Sequence, residues 1–314
     1  MINKKLSAAS MCAVLIISVN ISVLFASDEE TGKVSATVSR SFPASAMSID
    51  CGPSSVVRIS GTNVRNTDLM GFGISYRDFS LSYSQTLFDG PKIYDTTGDL
   101  FFGRLGFEIM LQKYKGFHWA GEGESGWTDE YGNYANADPD LSITNYRLHC
   151  FYFFFDDYSY SNAYVNKTGS RSFCWSPFLR ISPGYFGIKN TQPIIPPGQY
   201  PNYDTGLHDM TRVDCVTCAF SAGLTAIFPV WKFYFSPIAT IGYEPQYYSH
   251  NGADGRQRGV GTNFVYDFRL LLAFSGETLT AGAWMCNDNQ FADFNRAQFM
   301  VSNVQIDFFA GIRF

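Results

Sequence analysis

Four histidines and one pair of closely spaced cysteines could do chemistry in this sequence. A hydrolase needs a nucleophile beside a general base, and histidine is the usual base. His118 follows a predicted strand, His149 lies within one, and His208 and His250 lie near aspartates in long predicted connections. None of the four occupies a nucleophile elbow. The sequence therefore predicts no catalytic residue, and it favours hydrogen bonding as the role of these side chains.

Cys215 and Cys218 have the spacing of a redox motif. Such motifs work at a helix N-terminus, which lowers the thiol pKa, whereas this pair lies on a predicted strand. Residues three apart on a strand point to opposite faces, so a mutual disulfide or a shared metal is not expected. Zinc needs four converging ligands, and no second cluster is present. The sequence predicts neither a metal site nor a cofactor.

The elements that must position these residues are strands with an aromatic face. Every second residue from Trp231 to Tyr243 is apolar, and the same period recurs from Val216 to Phe228 and from Phe264 to Phe274. Aromatic residues make up 17% of the chain, yet no later stretch is apolar enough for a membrane helix. Strands that are apolar on one face only are typical of a membrane barrel. We predict an all-β fold, a transmembrane antiparallel outer-membrane β-barrel of about 12 strands (range 10–14).

The C-terminal residues alternate without a break. Val304, Ile306, Phe308, Ala310, Ile312 and Phe314 share one predicted outward face. A last strand must close the barrel and present an apolar face to lipid. We predict that Phe308, Ile312 and Phe314 form an assembly signal for the barrel assembly machinery. The alternative is a buried edge strand of a soluble β-sandwich.

The N-terminal residues predict export. Lys4 and Lys5 precede an apolar run from Ala13 to Phe25, as in a Sec signal peptide cleaved near Ala26. We expect residues 1–27 to be this signal, 28–54 to be loosely structured and 55–314 to form one barrel domain in the outer membrane of a Gram-negative cell. The net charge of −5 gives no indication of nucleic-acid binding.

The predicted connections form two length classes. Short links are expected near residues 77–78, 103–105, 156–157, 229–230 and 275–277, and long ones at 120–140, 191–212, 244–261 and 287–298. Outer-membrane barrels have short periplasmic turns and long outer loops. The alternation of the two classes predicts both chain ends in the periplasm.

Charged residues on the inward faces are predicted to lie in the lumen, where opposite charges can pair across strands. Asp267 and Arg269 are expected to pair with Asp307 and Arg313. The full predicted network is Glu108, Arg180, Asp267, Arg269, Asp307 and Arg313. Such a lumen can be filled by side chains or hold a narrow pore for small solutes.

Six cysteines follow the predicted signal peptide, and an even number in an oxidising compartment makes disulfides an option without revealing their pairing. The possible disulfide partners are Cys51, Cys150, Cys174, Cys215, Cys218 and Cys286.

Four motifs occur in a recognisable order. Residues 71–83 (GFGISYRDFSLSY), 102–107 (FGRLGF), 112–117 (QKYKGF) and 155–160 (FDDYSY) resemble an outer-membrane family found mainly in Bacteroidetes, domain of unknown function 4421. The resemblance extends from about Val56 to Phe314, and QKYKGF is its most specific piece. It implies a barrel, and it brings no activity, ligand or catalytic residue.

These observations predict an integral outer-membrane β-barrel, in contact with outer-membrane lipid, that has a structural, surface-interaction or narrow-channel role and is not an enzyme. Two alternatives stay open. One is an outer-membrane lipid-modifying enzyme of the phospholipase or acyltransferase type, and the other is a soluble periplasmic β-sandwich binding protein. The sequence predicts no oligomeric state.

Overall fold

The computed structural model describes residues 34–50, 56–57, 60–61, 69–86, 92–117, 119–120, 138–165, 167, 170, 172–194, 207–294 and 297–314. Twelve long strands follow one another in an antiparallel sheet. They are β1 (Val34–Asp50), β2 (Leu69–Tyr76), β3 (Phe79–Thr86), β4 (Lys92–Phe102), β5 (Leu105–Phe117), β6 (Asp138–Phe153), β7 (Cys174–Lys189), β8 (Arg212–Val230), β9 (Phe233–Gly252), β10 (Gly255–Ser275), β11 (Leu279–Phe294) and β12 (Ala297–Arg313). Short strands at Val56–Val57, Ser60–Gly61 and Trp119–Ala120 and a π-helical turn at Ser161–Val165 accompany them.

Pairing between the first and last strands closes the sheet. Within β1, Val38 lies opposite Ala310 of β12 on one side and Phe72 of β2 on the other. Closure pairs the backbone of both edges, which a strand in hydrocarbon requires. The predicted barrel of about 12 strands is confirmed, and a single closed sheet excludes the two packed sheets of a β-sandwich.

The outer surface is apolar and aromatic, as predicted. On β9, Phe233, Phe235, Ile241 and Tyr243 are exposed, and the alternating side chains, such as Thr240, are buried in the barrel. Period-two alternation across a single closed sheet gives every strand one outward and one inward face. This is the architecture of an outer-membrane β-barrel. No helix among the described residues is both long and apolar enough to cross a membrane.

The barrel begins earlier than we predicted. Residues 28–54 were expected to be loosely structured, but Val34–Asp50 forms β1, which pairs along most of its length with β12. This segment is rich in Ser, Thr and Ala and has few large apolar residues. Neighbouring strands hold it through backbone hydrogen bonds, which need no apolar side chains. The predicted signal peptide at residues 1–27 lies outside the described residues.

Two of the expected long loops are strands. Residues 244–261 lie in β9 and β10 apart from a turn at residues 253–254, and residues 287–298 lie mainly in β11 and β12. Outside the apolar part of the outer surface, both faces of a strand can carry polar residues. Segments rich in Gly, Asn and Tyr can therefore form paired strands there. The turn expected at residues 229–230 lies at residues 231–232. The turns at residues 77–78 and 103–104 are where we predicted them, and Gly103 supplies a φ of 57°.

The largest error concerns the link after β6. We expected a tight turn at residues 156–157, but the chain runs from residue 154 to residue 173 before β7 begins. At the other end of the barrel, the described parts of the connection between β7 and β8 pack together, and Ile194 N donates to Met210 O at 2.7 Å. The long connection expected at residues 120–140 lies mostly outside the described residues.

The C-terminal residue completes the closing seam. Phe314 N donates to Val34 O at 2.9 Å, and its side chain is exposed, as are those of Phe308 and Ile312. We expect Phe314→Asp to reduce the amount of folded barrel in outer membranes about tenfold or more, because a charged residue would end the apolar ladder. The measurement is the fraction that shows heat-modifiable migration.

Phe102→Asp is the matched control. Phe102 is also an exposed phenylalanine at the end of the barrel that carries the chain termini, but it lies in β4. We expect a much smaller loss for this variant. Equal losses for the two variants would mean that the loss of an apolar lipid contact, and not of an assembly signal, lowers the yield of folded barrel. Normal assembly of Phe314→Asp would also refute the assembly signal.

Candidate functional site in the barrel lumen

A segment of the chain fills the lumen at the end that carries the termini. Residues 158–165, here called the plug, belong to the connection between β6 and β7 and include the π-helical turn Ser161–Val165. Tyr158, Tyr160, Ala163 and Val165 are each at most 4% exposed. The plug packs on inward apolar side chains from several strands, among them Phe101, Phe153, Phe178, Ile238 and Leu271. The barrel therefore has a packed core at this end.

Aromatic stacking orders this core. The Tyr160 ring lies 4.4 Å from that of Phe101 and 4.7 Å from that of Tyr164, measured between centroids. Phe151 and Phe153 stack at 5.8 Å. These separations are in the range of favourable aromatic pairs.

Hydrogen bonds fix the plug to the wall of the barrel that β8 and β9 form. Tyr164 OH donates to Ser236 O at 2.5 Å, and Tyr234 OH donates to Ala163 O at 2.7 Å. On the neighbouring strand, Thr225 Oγ1 donates to Tyr158 OH at 2.8 Å. A segment bonded through both backbone and side chains is a fixed part of the fold.

An ion pair at the turn joins β4 and β5 to the start of this connection. Arg104 donates two hydrogen bonds to the Asp156 carboxylate. These bonds from Arg104 lower the pKa of the Asp156 carboxyl. Because both side chains are exposed, the pair adds little to stability.

A layer of charge crosses the bore directly above the plug. Arg269 of β10 donates to Glu108 of β5 through both terminal nitrogens, at 2.6 and 2.7 Å. Tyr160 OH of the plug also donates to Glu108, at 3.1 Å. Since β5 and β10 are five strands apart in a ring of twelve, the pair joins nearly opposite walls.

Two more ion pairs lie beside this one. Arg180 binds Asp267, which also accepts a hydrogen bond from Thr240 Oγ1 at 3.0 Å. Arg147 donates to Glu244 at 2.9 Å and lies 3.8 Å from Asp288. Sequence analysis missed this second pair. Arg147 was detectable, because it alternates with the outward residues of a predicted strand, whereas Glu244 fell in a segment that we took for a loop.

The structure places all six predicted lumen charges inside the barrel but pairs them differently from our expectation. Asp267 and Arg269 do not bind Asp307 and Arg313, because β11 separates β10 from β12. Asp307 instead accepts from Trp284 Nε1 and from Gln305 at 2.9 Å. Arg313 donates to the carbonyl oxygens of Gly276 at 2.7 Å and Lys167 at 2.5 Å, and so anchors the connection just after the plug.

A cavity of about 180 Å³ remains along the wall formed by β1–β5 and β10–β12. Its lining includes the carboxylates of Asp95, Asp99 and Asp307 together with the Lys167 ammonium. Ser80 donates to Asp99 at 2.5 Å, and Gln112 donates to Asp95 at 3.4 Å. In the part of the chain that the structure describes, no three His, Cys, Asp or Glu side chains are grouped to hold a metal ion.

His149 lies between a hydroxyl and a carboxylate. Its Nδ1 lies 2.7 Å from Ser182 Oγ, and its Nε2 lies 3.8 Å from Glu108 Oε1. Ser182 has no exposed surface, and its hydrogen bond to His149 is buried. His250 is buried near the far rim, His208 is half-buried, and His118 lies outside the described residues.

Four of the six possible disulfide partners form no disulfide. Cys150, Cys174, Cys218 and Cys286 are free thiols. Cys150 and Cys218 lie on β6 and β8, and the intervening β7 keeps them about 10 Å apart, which exceeds the reach of a disulfide. Cys215 is buried on the inward face of β8, and Cys51 lies outside the described residues.

The solved structures that the chain resembles are of outer-membrane proteins. The solved structures include the outer-membrane protease OmpT from Escherichia coli (7% identity, TM-score 0.44, covering 90% of this chain and 97% of that one). The β domain of the Bordetella autotransporter BrkA has 10% identity and a TM-score of 0.35 (90% and 99% covered). The toluene transporter TodX from Pseudomonas putida has 7% identity and a TM-score of 0.29 (90% and 89% covered). Likenesses this distant carry no argument about function.

No curated protein matches the sequence. A family model described as Domain of unknown function (DUF4421) matches residues 63–314, which is most of the chain.

Proposed function

Because the chain belongs to the family described as Domain of unknown function (DUF4421) and folds as a closed twelve-stranded barrel, we propose that it is an integral outer-membrane protein with a closed lumen. Its role in this proposal is structural or in surface interaction, without an open channel and without catalysis.

The observation that carries the proposal is the bridge of Glu108, Arg269 and Tyr160. It joins nearly opposite walls of the bore to the plug through charge-assisted hydrogen bonds. Such bonds are roughly twice as strong as neutral ones. The packed aromatic core and the layer of ion pairs support a bore that is closed at the end that carries the termini.

The exterior supports the membrane part of the proposal. Phe233, Phe264 and Leu272 are examples of large apolar side chains that are exposed on a closed barrel, a surface suited to lipid rather than water. The absence of catalysis is supported by the burial of Ser182, which puts the hydroxyl nearest to His149 out of reach. The competing proposal is a lipid-modifying enzyme, whose activity would have to disappear in a His149→Ala protein.

Solute permeability tests the closed lumen. We expect liposomes that contain the refolded protein to exclude arabinose and other small sugars as tightly as protein-free liposomes do, because the plug fills the bore. Liposome swelling measures this, and a porin reconstituted in parallel provides the positive control. Swelling at a porin-like rate would contradict the proposal, as would recovery of the native protein in the soluble periplasmic fraction.

A further inference from the structure

Four cations face outward at the end of the barrel opposite to the chain termini. This basic patch consists of Lys189 of β7, Arg212 of β8, and Arg256 and Arg258 of β10, and all four side chains are exposed. No lumen contact described above involves any of them. These side chains are therefore available to a binding partner outside the barrel.

The strand register brings the patch together. Lys189 lies opposite Arg212, and Arg212 lies opposite Asn251 on β9. Asn251 in turn lies opposite Arg256, and two residues along these strands the buried Ser249 lies opposite Arg258. Because neighbouring strands are about 4.8 Å apart, the four cations span only three inter-strand steps.

The patch lies on the lipid side of the barrel wall. On β10, Arg256 and Arg258 share the face of Phe264 and Phe268, while Val265 and Asp267 point inward. Residues two apart on a strand face the same side. On β10 the cations thus continue the outer face beyond its last aromatic residue, Phe264, toward the end of the strand.

Positive charge dominates the patch. Asp214 lies on the same face, and it accepts from Arg212 at 2.7 Å and from Tyr185 OH at 2.6 Å. Asp140 of β6 is also exposed near Lys189, but it binds Lys115 of β5 at 3.5 Å. Asp209 and Asp254 lie in the connections beyond the strand ends. The four cations therefore outnumber the carboxylates on these strands. Arg256 donates to Ser249 at 3.2 Å, and a hollow of about 190 Å³ lies between Arg212, Asn251 and Arg256.

We propose that the basic patch binds the phosphate groups of an anionic lipid of the outer leaflet, specifically a phosphorylated glycolipid. Guanidinium groups bind phosphate through two parallel hydrogen bonds, and clustered Arg and Lys beside a membrane recognise anionic headgroups. The orientation favours a lipid over free phosphate, because acyl chains can pack on Phe264 while the phosphate reaches Arg256. The inference requires a membrane-embedded barrel and is independent of whether the lumen is closed.

The test compares two probes on the full-length protein in neutral detergent. One is lipid A with its phosphates, and the other is the same lipid A after phosphatase treatment. Native mass spectrometry counts the bound lipids. We expect the unmodified protein to bind the phosphorylated form about tenfold more tightly or better, and we expect Arg212→Gln/Arg256→Gln/Arg258→Gln to bind both forms equally.

A charge-matched control distinguishes binding at the basic patch from a general effect of the protein's net charge. Arg77→Gln/Arg104→Gln/Lys232→Gln removes three exposed cations from the turns at the other end, and we expect it to keep the tenfold preference. If the first triple variant fails to show heat-modifiable folding, Arg256→Gln alone serves, with an expected loss of about threefold.

Three results would overturn the proposal. They are a preference retained in the patch variant, an equal loss in the control variant, and displacement of the lipid from the unmodified protein by millimolar inorganic phosphate.

Discussion

Glu108→Ala is expected to destabilise the folded barrel by about 3–5 kcal/mol, because it leaves the Arg269 guanidinium buried without its partner. Arg269 makes two hydrogen bonds to this carboxylate, and the plug residue Tyr160 makes a third. Removal of one member of a buried pair leaves the other charge desolvated without its partner. The measurement is the urea midpoint of the heat-modifiable gel shift, converted to a free energy of unfolding.

The double variant Glu108→Leu/Arg269→Met is the control for this prediction. It removes both charges at similar volume, and such replacements of buried pairs are often neutral or stabilising. We therefore expect it to recover most of the lost stability. If Glu108→Ala unfolded within about 1 kcal/mol of the unmodified protein, the bridge would not be a significant part of the fold.

The outward face was predictable from sequence because lipid contact imposes a rule on every second residue. Phe233, Phe235 and Tyr243 repeat with the strand period, and no other environment explains so continuous an aromatic face. The rule weakens where contact with lipid ends. Residues 244–261 therefore looked like a loop, although β9 and β10 continue through them as paired strands.

The plug escaped prediction because the two residues before it, Asp156 and Asp157, have the composition of a tight turn. The next aromatic residues, Tyr158 and Tyr160, pack inside the barrel. They follow neither the period of a strand nor that of a helix, so no sequence pattern predicted their burial. The sequence also predicted which charges face the lumen without predicting their partners. Glu108 and Arg269 are 161 positions apart, and only the order of strands around the ring brings them together.

Replacement of residues 156–172 by a short Gly-Ser linker is expected to turn a non-conducting barrel into a conducting one. The linker still joins β6 to β7, while the tyrosines that fill the bore are removed. Because Asp95, Asp99 and Asp307 line the remaining cavity, the current should be cation-selective. Single-channel recording in planar bilayers, with reversal potentials in a salt gradient, measures both properties.

A smaller change tests the same idea if the linker variant does not fold. Tyr160→Ala/Arg269→Ala removes two side chains from the centre of the bore, and we expect a weaker cation-selective current from it. Tyr152→Ala/Arg104→Ala makes the same substitutions at exposed positions and should stay closed. A current in this control variant would show that conductance does not depend on the plug. The absence of current in both plug variants would show the same.

Planar-bilayer recording of the unmodified protein tests the closed lumen most directly. The plug, the aromatic core and the bridge between Glu108 and Arg269 together predict no stable current steps in molar potassium chloride at moderate voltage. The inserted protein must be verified by its heat-modifiable form in the same preparation. Large, long-lived conductance steps from that verified barrel would contradict the closed lumen and identify the protein as a porin.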